Sequence, residues 1–352
     1  MNRSLSNPSK PVANWVLIGV VMLLVQILLG GITRLTGSGL SITEWNVVTG
    51  ALPPLSQEQW LTEFDKYKHT PQFILLHSDF TLHDFKFIFF WEWFHRFWAR
   101  LVGVVFIIGF VYLLWKKELK QSMIKPLLIL FLLGALQGAV GWIMVKSGLT
   151  GDAIYVQPTK LALHFIFALG LICYAFWFAL QLFIPGSAII KRASLQKWTV
   201  TILIVLFFQL IFGALMAGHK AAAAASTWPT INGDWLPVSL FRESPLLINF
   251  IENKITIHFI HRLLAYLLFL LTIGWTIKAT KNSSDSNYFT RSKWFPLMLI
   301  STQLILGILT VINSPLILAN HWGFFEWMAQ LHQLVALLFL LTMIYMRYLV
   351  RN

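Results

Sequence analysis

The sequence predicts an all-α membrane protein, with eight transmembrane helices forming two homologous four-helix bundles. Three observations predict it. Of 352 residues, 57% are hydrophobic and only 12% charged, about half the charged share of a soluble domain. Eight apolar runs are long enough to cross roughly 30 Å of hydrocarbon, which takes about 20 helical residues. The same residue types recur at fixed offsets in the two halves of the chain. The alternating pattern of a membrane β-barrel is absent.

The spans are expected near 14–32, 87–114, 126–146, 161–184, 198–218, 255–277, 294–313 and 326–348. The segment "MNRSLSNPSK" is too polar for a signal peptide, and no small-residue cleavage site follows the first apolar run, so that run reads as a retained helix. Lys and Arg set the orientation. One side holds the N-terminus with Arg3 and Lys10, "KKELKQSMIK", "KRASLQK", "KATKNSSDSNYFTRSK" and the tail with Arg347 and Arg351, fifteen basic residues in all. The other side holds eight and the longer loops. Both termini are therefore expected in the cytoplasm of a bacterium, or in a mitochondrial matrix. The net charge of +13 follows from this bias and favours anionic lipid. Spread over five short segments, it argues against nucleic-acid binding. The single cysteine, Cys173, lies inside the fourth span and forms no intramolecular disulfide.

The repeat is explicit. His95–Arg96 recurs as His261–Arg262, and Gln137 and Gly141 recur as Gln303 and Gly307, all at an offset of 166. Gln26 and Gly30 match Gln209 and Gly213 at 183, as "TEWNVVTGALPP" matches "STWPTINGDWLP". His164 and His332 match at 168. The halves are 1–190 and 191–352. An even number of helices in each makes them parallel repeats. The first outer loop, 33–86, is too long for a plain connection. In it, Ser56-x-x-Gln59 reads as a capping box. Trp60, Leu61, Phe64 and Tyr67 follow at helical spacing, predicting a short helix packed on the outer surface. Thr81 or Ser78 should cap the second span.

His95, His164, His261 and His332 fall in the second, fourth, sixth and eighth spans, three to eight residues from their outer ends. That is about 5–12 Å at 1.5 Å per residue, in the outer half of the bilayer. One intramembrane histidine is ordinarily a helix–helix hydrogen bond. Four, paired by an internal repeat, suit axial ligation of haem iron across each bundle. Zinc would want three or four clustered ligands. A proton relay does not predict the pairing. Arg96 and Arg262 are placed to meet anionic groups such as haem propionates; the alternative is snorkelling or an acidic partner. Glu92 shares a helical face with His95, and a membrane carboxylate marks function unless it is an ion pair with Arg96. At the matching position stands His258, so the two bundles are alike in the paired histidines and unlike in this acidic group. That asymmetry assigns chemistry to the first and a redox cofactor to the second. Lys86 reads as an interfacial anchor, and histidines 69, 77, 83, 219 and 321 as solvated loop residues.

"GGITRLTGSGLSITEW", "DFKFIFFWEWFHRFWARLVG", "STWPTINGDWLP" and "HFIHRLLA" resemble the haem A synthase family across nearly the whole chain. The match is to the mitochondrial and Gram-negative branch without paired loop cysteines. The resemblance implies an oxidoreductase that converts haem O to haem A by successive hydroxylation of the C8 methyl, with haem b as prosthetic group. It implies that His95 and His164 bracket haem O, that His261 and His332 ligate haem b, and that Glu92 is the functional glutamate. It also implies a bacterial inner-membrane location and a place in cytochrome oxidase assembly. The partners expected are the haem O synthase (a farnesyl transferase) as donor and the lipid bilayer; the sequence leaves the electron acceptor unidentified and does not fix the oligomeric state, a homo-oligomer being one option. The family commonly has glutamine where this chain has His258, which would then be a hydrogen-bonding group or a competing ligand. Two other classes fit less well. A di-haem b-type cytochrome that only transfers electrons leaves Glu92 unexplained, and a transporter leaves the paired histidines unexplained.

Overall fold

A computed structural model describes residues 10–45, 49–281, 286–317 and 322–351. Among these, every regular element is helical. The helices are α1 (Lys10–Leu35), α2 (Gln57–Lys68), α3 (Pro71–Leu76), α4 (Leu82–Trp115), α5 (Gln121–Lys146), α6 (Pro158–Phe183), α7 (Ala193–Gly218), α8 (Lys254–Thr280), α9 (Asn287–Ser292), α10 (Phe295–Ile312) and α11 (Phe324–Leu349). Eight stretches are long and apolar enough to cross a membrane: α1, α4 to α8, the α9–α10 pair and α11. They correspond one to one with the expected spans. Arg3, residues 46–48 of the repeated loop motif, part of "KATKNSSDSNYFTRSK" and His321 lie outside the described residues.

The chain divides into two compact units, one centred on Ile18–Leu171, the other on Ile172–Leu318 and Gly323–Asn352. In the second unit, α7 packs on α8 and α10 on α11, with α8 against α10 and α7 against α11 closing a four-helix ring. Its core includes Trp275, fully buried, whose indole N–H donates to Thr199 Oγ1 at 2.8 Å. Beside it Gly274 lets the Trp198 ring approach; a Cβ there would sit 2.7 Å from that ring.

In the first unit, α1 is tied to α4 by Trp98, whose indole donates to Met22 O at 2.9 Å. Helix α1 ends in a Schellman motif. Ser38 N donates to Thr33 O and Gly37 N to Arg34 O, with Gly37 at φ +68. Only that left-handed turn sends residues 38–45 back across α4. The chain then enters α2, whose Ser56–Gln59 capping box is formed as expected. Phe64 and Tyr67 of α2 are buried against Phe80, Phe85, Ile88 and Phe89. Leu61 departs from the expectation: it is half exposed. Helix α3, which the sequence did not suggest, follows from Thr70 as cap and Pro71 in the first turn.

Helix α4 starts at Leu82, five residues ahead of the expected apolar span, with Thr81, one of the two expected caps, forming a capping box with Asp84. Its added first turns are covered by α2, with Trp60 and Phe89 centroids 5.0 Å apart and Lys86 Nζ over Trp60 at 5.1 Å. His95 therefore lies in the fourth turn of its helix, whereas His164, His261 and His332 lie in the second or third. Helix α5 likewise starts at Gln121, five residues ahead of the expected Pro126, which it carries internally.

Candidate haem sites

The first unit brings Glu92, His95 and Arg96 together with the strap 38–45. Glu92 is 2% exposed. Its Oε1 accepts from Arg96 Nη2 at 2.5 Å; its Oε2 accepts from Ser41 Oγ at 2.7 Å and from Ile42 N at 2.9 Å. Arg96 reaches on to Ile42 O at 3.4 Å and Glu44 O at 3.3 Å, and its guanidinium lies 4.8 Å from the Trp45 ring centroid. The ion pair considered for Glu92 and Arg96 is thus formed, and it also clamps the strap. Glu44 is held in turn by Lys66 of α2 at 3.0 Å. Burying a carboxylate is costly unless it is paired and hydrogen-bonded, and here the Arg96 guanidinium, the Ser41 hydroxyl and the Ile42 amide together meet both oxygens.

The second unit repeats the device with different chemistry. Arg262 spends all five N–H donors: Nε on His258 Nδ1 at 3.0 Å, Nη1 on Pro229 O and Thr230 O at 3.3 and 3.0 Å, and Nη2 on Ala225 O and Thr227 O at 3.1 and 2.7 Å. His258, 1% exposed, stands where Glu92 stands and takes the same arginine four residues on. In both units the arginine after the candidate ligand binds the loop that precedes the helix.

The histidines face glycines. A Cβ on Gly30 would lie 3.3 Å from His95 Nε2; on Gly141, 2.9 Å from His164 Cε1; on Gly213, 3.2 Å from His261 Cε1; and on Gly307, 2.9 Å from His332 Cε1. Each imidazole occupies a cradle that a larger residue would fill. In the second unit the His261 and His332 ring centroids are 6.4 Å apart at 65°. Two imidazoles bound to opposite faces of one metal, with bonds of about 2 Å, have centroids about 6 Å apart. His261 Nδ1 is buried without a protein partner. Among the described residues no three His, Cys, Asp or Glu side chains cluster as a metal site. Paired nitrogens without a third or fourth donor fit a haem, whose porphyrin supplies the other ligands, and do not fit tetrahedral zinc.

The chain matches the model of the cytochrome oxidase assembly protein family over residues 13–344. It is 39% identical to the haem A synthase of Flavobacterium johnsoniae over 345 residues, 96% of this chain and 97% of the relative. It belongs to the haem A synthase family. The Paracoccus denitrificans member is 38% identical over 88% of this chain and 83% of its own length. The Beijerinckia indica member is 42% identical over 94% of this chain and 90% of its own. The resemblance carried by the loop and His-Arg motifs therefore extends over the whole haem A synthase frame.

Two features of the site escaped the sequence. Ser41 and the Ile42 amide, which hold Glu92, come from a loop whose path depends on Gly37. The arginine contacts are to backbone carbonyls, which no residue type announces. His77 and His219 are also not plain solvated residues. His77 Nδ1 lies 2.6 Å from Tyr67 Oη, and His219 Nε2 donates to Ile251 O at 2.6 Å. His69 and His83 are exposed, His69 at the C-terminal cap of α2 with Nδ1 2.8 Å from Asp65 O and His83 in the first turn of α4.

Proposed function

We propose that this chain is a haem A synthase, an integral membrane oxidoreductase that converts the C8 methyl of haem O to the formyl group of haem A. The observation that carries the reading is the Glu92–His95–Arg96 turn under its own strap in one unit, while the other unit has a His pair with His258 in place of the acid. The conversion removes four electrons from one carbon. Two hydroxylations take two each, and loss of water from the geminal diol leaves the aldehyde.

The N-terminal bundle, 1–190 with its outer loop 33–86, receives haem O between His95 and His164. The C-terminal bundle, 191–352, holds haem b through His261 and His332. When bound, that group supplies one-electron chemistry toward an acceptor. Arg96 and Arg262, whose hydrogen bonds go to Glu92, His258 and the loop carbonyls, act on the propionates of each haem through their charge rather than by direct hydrogen bonds. Glu92 accepts a proton from the reacting centre, or stabilises positive charge developing at the methyl carbon. Its fixed position, set by Ser41 and Ile42 N, is the preorganisation such a role requires.

The lysine and arginine bias supports both termini on the cytoplasmic face of the bacterial inner membrane, with the haem sites in the outer half of the bilayer. Haem O would arrive from the farnesyl transferase that makes it, and haem A would leave for cytochrome oxidase assembly. The test is expression beside a haem O synthase in a host that makes no haem A, with extracted haems separated and weighed. Haem A that disappears in Glu92→Ala while haem b remains bound supports the reading. The same histidine cradle in both units favours one rival, a cytochrome that only transfers electrons. Unchanged haem O with two haem b per chain would establish it instead.

A further inference from the structure

The α9–α10 pair fills a single span but is two helices. Lys293 closes α9, and α10 opens on Phe295 with Pro296 in its first turn, whose missing N–H leaves no hydrogen bond back to Ser292. The matching span of the first unit, α5, is one helix from Gln121 to Lys146. Helix α9 is held firmly in place. Its N-cap Ser286 donates to Ala188 O at 2.8 Å, and Phe289 is fully buried, with its ring centroid 6.1 Å from that of Trp275.

Beside this break, α6, α9, α10 and α11 enclose an open-sided groove of about 580 Å³, formed wholly by residues of the second unit. That volume is ordinary for a small-molecule site. Phe295, Leu338 and Leu341 line its apolar part; Tyr288, Arg291 and Tyr345 line its polar part, Tyr345 one turn before the end of α11. From Leu338 to Tyr345 the groove runs about 10 Å along α11, so its polarity is graded along the membrane normal. Arg291 is exposed and, among the described residues, meets no acid. The lysine and arginine bias puts this end of the spans at the inner face, where anionic headgroups lie. An arginine that only snorkels needs no groove beneath it. A phospholipid needs both parts, a cation for its phosphate and an apolar channel for a chain.

We propose that this groove binds one anionic phospholipid of the inner leaflet, an inference that stands apart from the function proposed above. The phosphate sits on Arg291, near the Tyr288 and Tyr345 hydroxyls, as a charge-assisted hydrogen bond. An acyl chain lies along Phe295, Leu341 and Leu338. The lipid thereby completes the packing that the α9–α10 break leaves open and braces α11, the helix that carries His332. A neutral amphiphile such as an isoprenoid quinone would gain nothing from the Arg291 charge.

The test uses the full-length protein in nanodiscs of phosphatidylcholine mixed with phosphatidylglycerol, with retained lipid identified by native mass spectrometry. The wild type should retain one phosphatidylglycerol per chain in preference to phosphatidylcholine. Arg291→Gln should cut that preference about fivefold, the worth of one cation near the membrane surface. Lys197→Gln, which removes an exposed charge at the same end of the spans but outside the groove, should leave it at wild type. Leu338→Trp, which fills the apolar part, should abolish retention of either lipid; if that variant does not accumulate, the comparison of Arg291→Gln with Lys197→Gln decides alone. Equal retention of the two lipids by the wild type, or an unchanged preference in Arg291→Gln, would overturn the proposal and leave only the ordinary lipid annulus. So would a quinone, rather than a phospholipid, as the molecule retained by protein taken directly from its native membrane.

Discussion

The Ser41 hydroxyl donates to Glu92 Oε2 at 2.7 Å, across 51 residues of chain. Ser41 is 1% exposed, so neither group has water to fall back on. A hydrogen bond to a charged acceptor is worth about 1.5–3 kcal/mol. Loss of about 2 kcal/mol raises the open population of the strap roughly twenty-five-fold. Ser41→Ala should therefore speed hydrogen exchange at the Ile42 amide, which shares the same oxygen, by about that factor. Haem A formation should fall with it. Glu92→Gln should loosen the strap further, because the Arg96 ion pair goes as well. An Ile42 amide as protected in Ser41→Ala as in wild type would show that the serine does not hold the strap.

His258 answers Glu92 in the second unit, and its Nδ1 accepts from Arg262 Nε. A glutamine oxygen can accept the same proton, whereas leucine cannot. His258→Gln is expected to leave haem b content and thermal stability near wild type, and His258→Leu to cost about 1–3 kcal/mol. Arg262→Lys should cost at least as much, because three ammonium donors cannot serve four carbonyls and a ring nitrogen. Thermal release of haem b, followed by its absorbance, reads all three. Equal behaviour of the glutamine and leucine variants would remove His258 from the clamp.

Hydropathy and spacing made the eight helices, the capping box at Ser56 and the four intramembrane histidines legible, because each depends on local residue type. The Thr81 cap of α4 was legible too, although its Asp84 partner, which sits ahead of the apolar run, was not. The strap over Glu92 was less legible still. It depends on Gly37 turning left-handed and on the Ile42 N–H, and backbone donors leave no mark on sequence. The glycine matches were visible as repeats, but their meaning appears only when each is found facing the ring of a histidine.

The two histidine pairs should separate by haem type. His261→Ala or His332→Ala should release haem b, because a single remaining imidazole cannot hold the iron on both faces. His95→Ala or His164→Ala should leave haem b bound and stop haem A accumulating. Extracted haem from each purified variant, quantified by chromatography, checks the division. Loss of haem b from His95→Ala in a folded protein would mean that the bundles are assigned the wrong way round.

Tyr67 gives the outer loop a pH dependence of known sign. It is fully buried, and its hydroxyl donates to Gln72 Oε1 at 3.0 Å, while Gln72 Nε2 donates to Ile154 O at 3.2 Å. Burial first, then the nearby Glu92 charge, pushes the Tyr67 phenol well above its ordinary value of 10.0. Above that value the unfolded loop has lost the phenol proton while the folded loop retains it. Raising the pH therefore removes stability, by up to about 1.4 kcal/mol per pH unit. Below pH 10 the contribution is fully present. Tyr67→Phe abolishes the titration and loses the hydroxyl's contacts to Gln72 and His77, about 1 kcal/mol each at neutral pH. It should also leave Gln72 without its donor and loosen the tie between α3 and residue 154. Proteolysis of the α2–α3 segment in wild type should accelerate from about pH 10, and in Tyr67→Phe it should start faster and stay flat. A wild-type cleavage rate that does not change between neutral pH and pH 11 would show that the phenol is not the group protecting this loop.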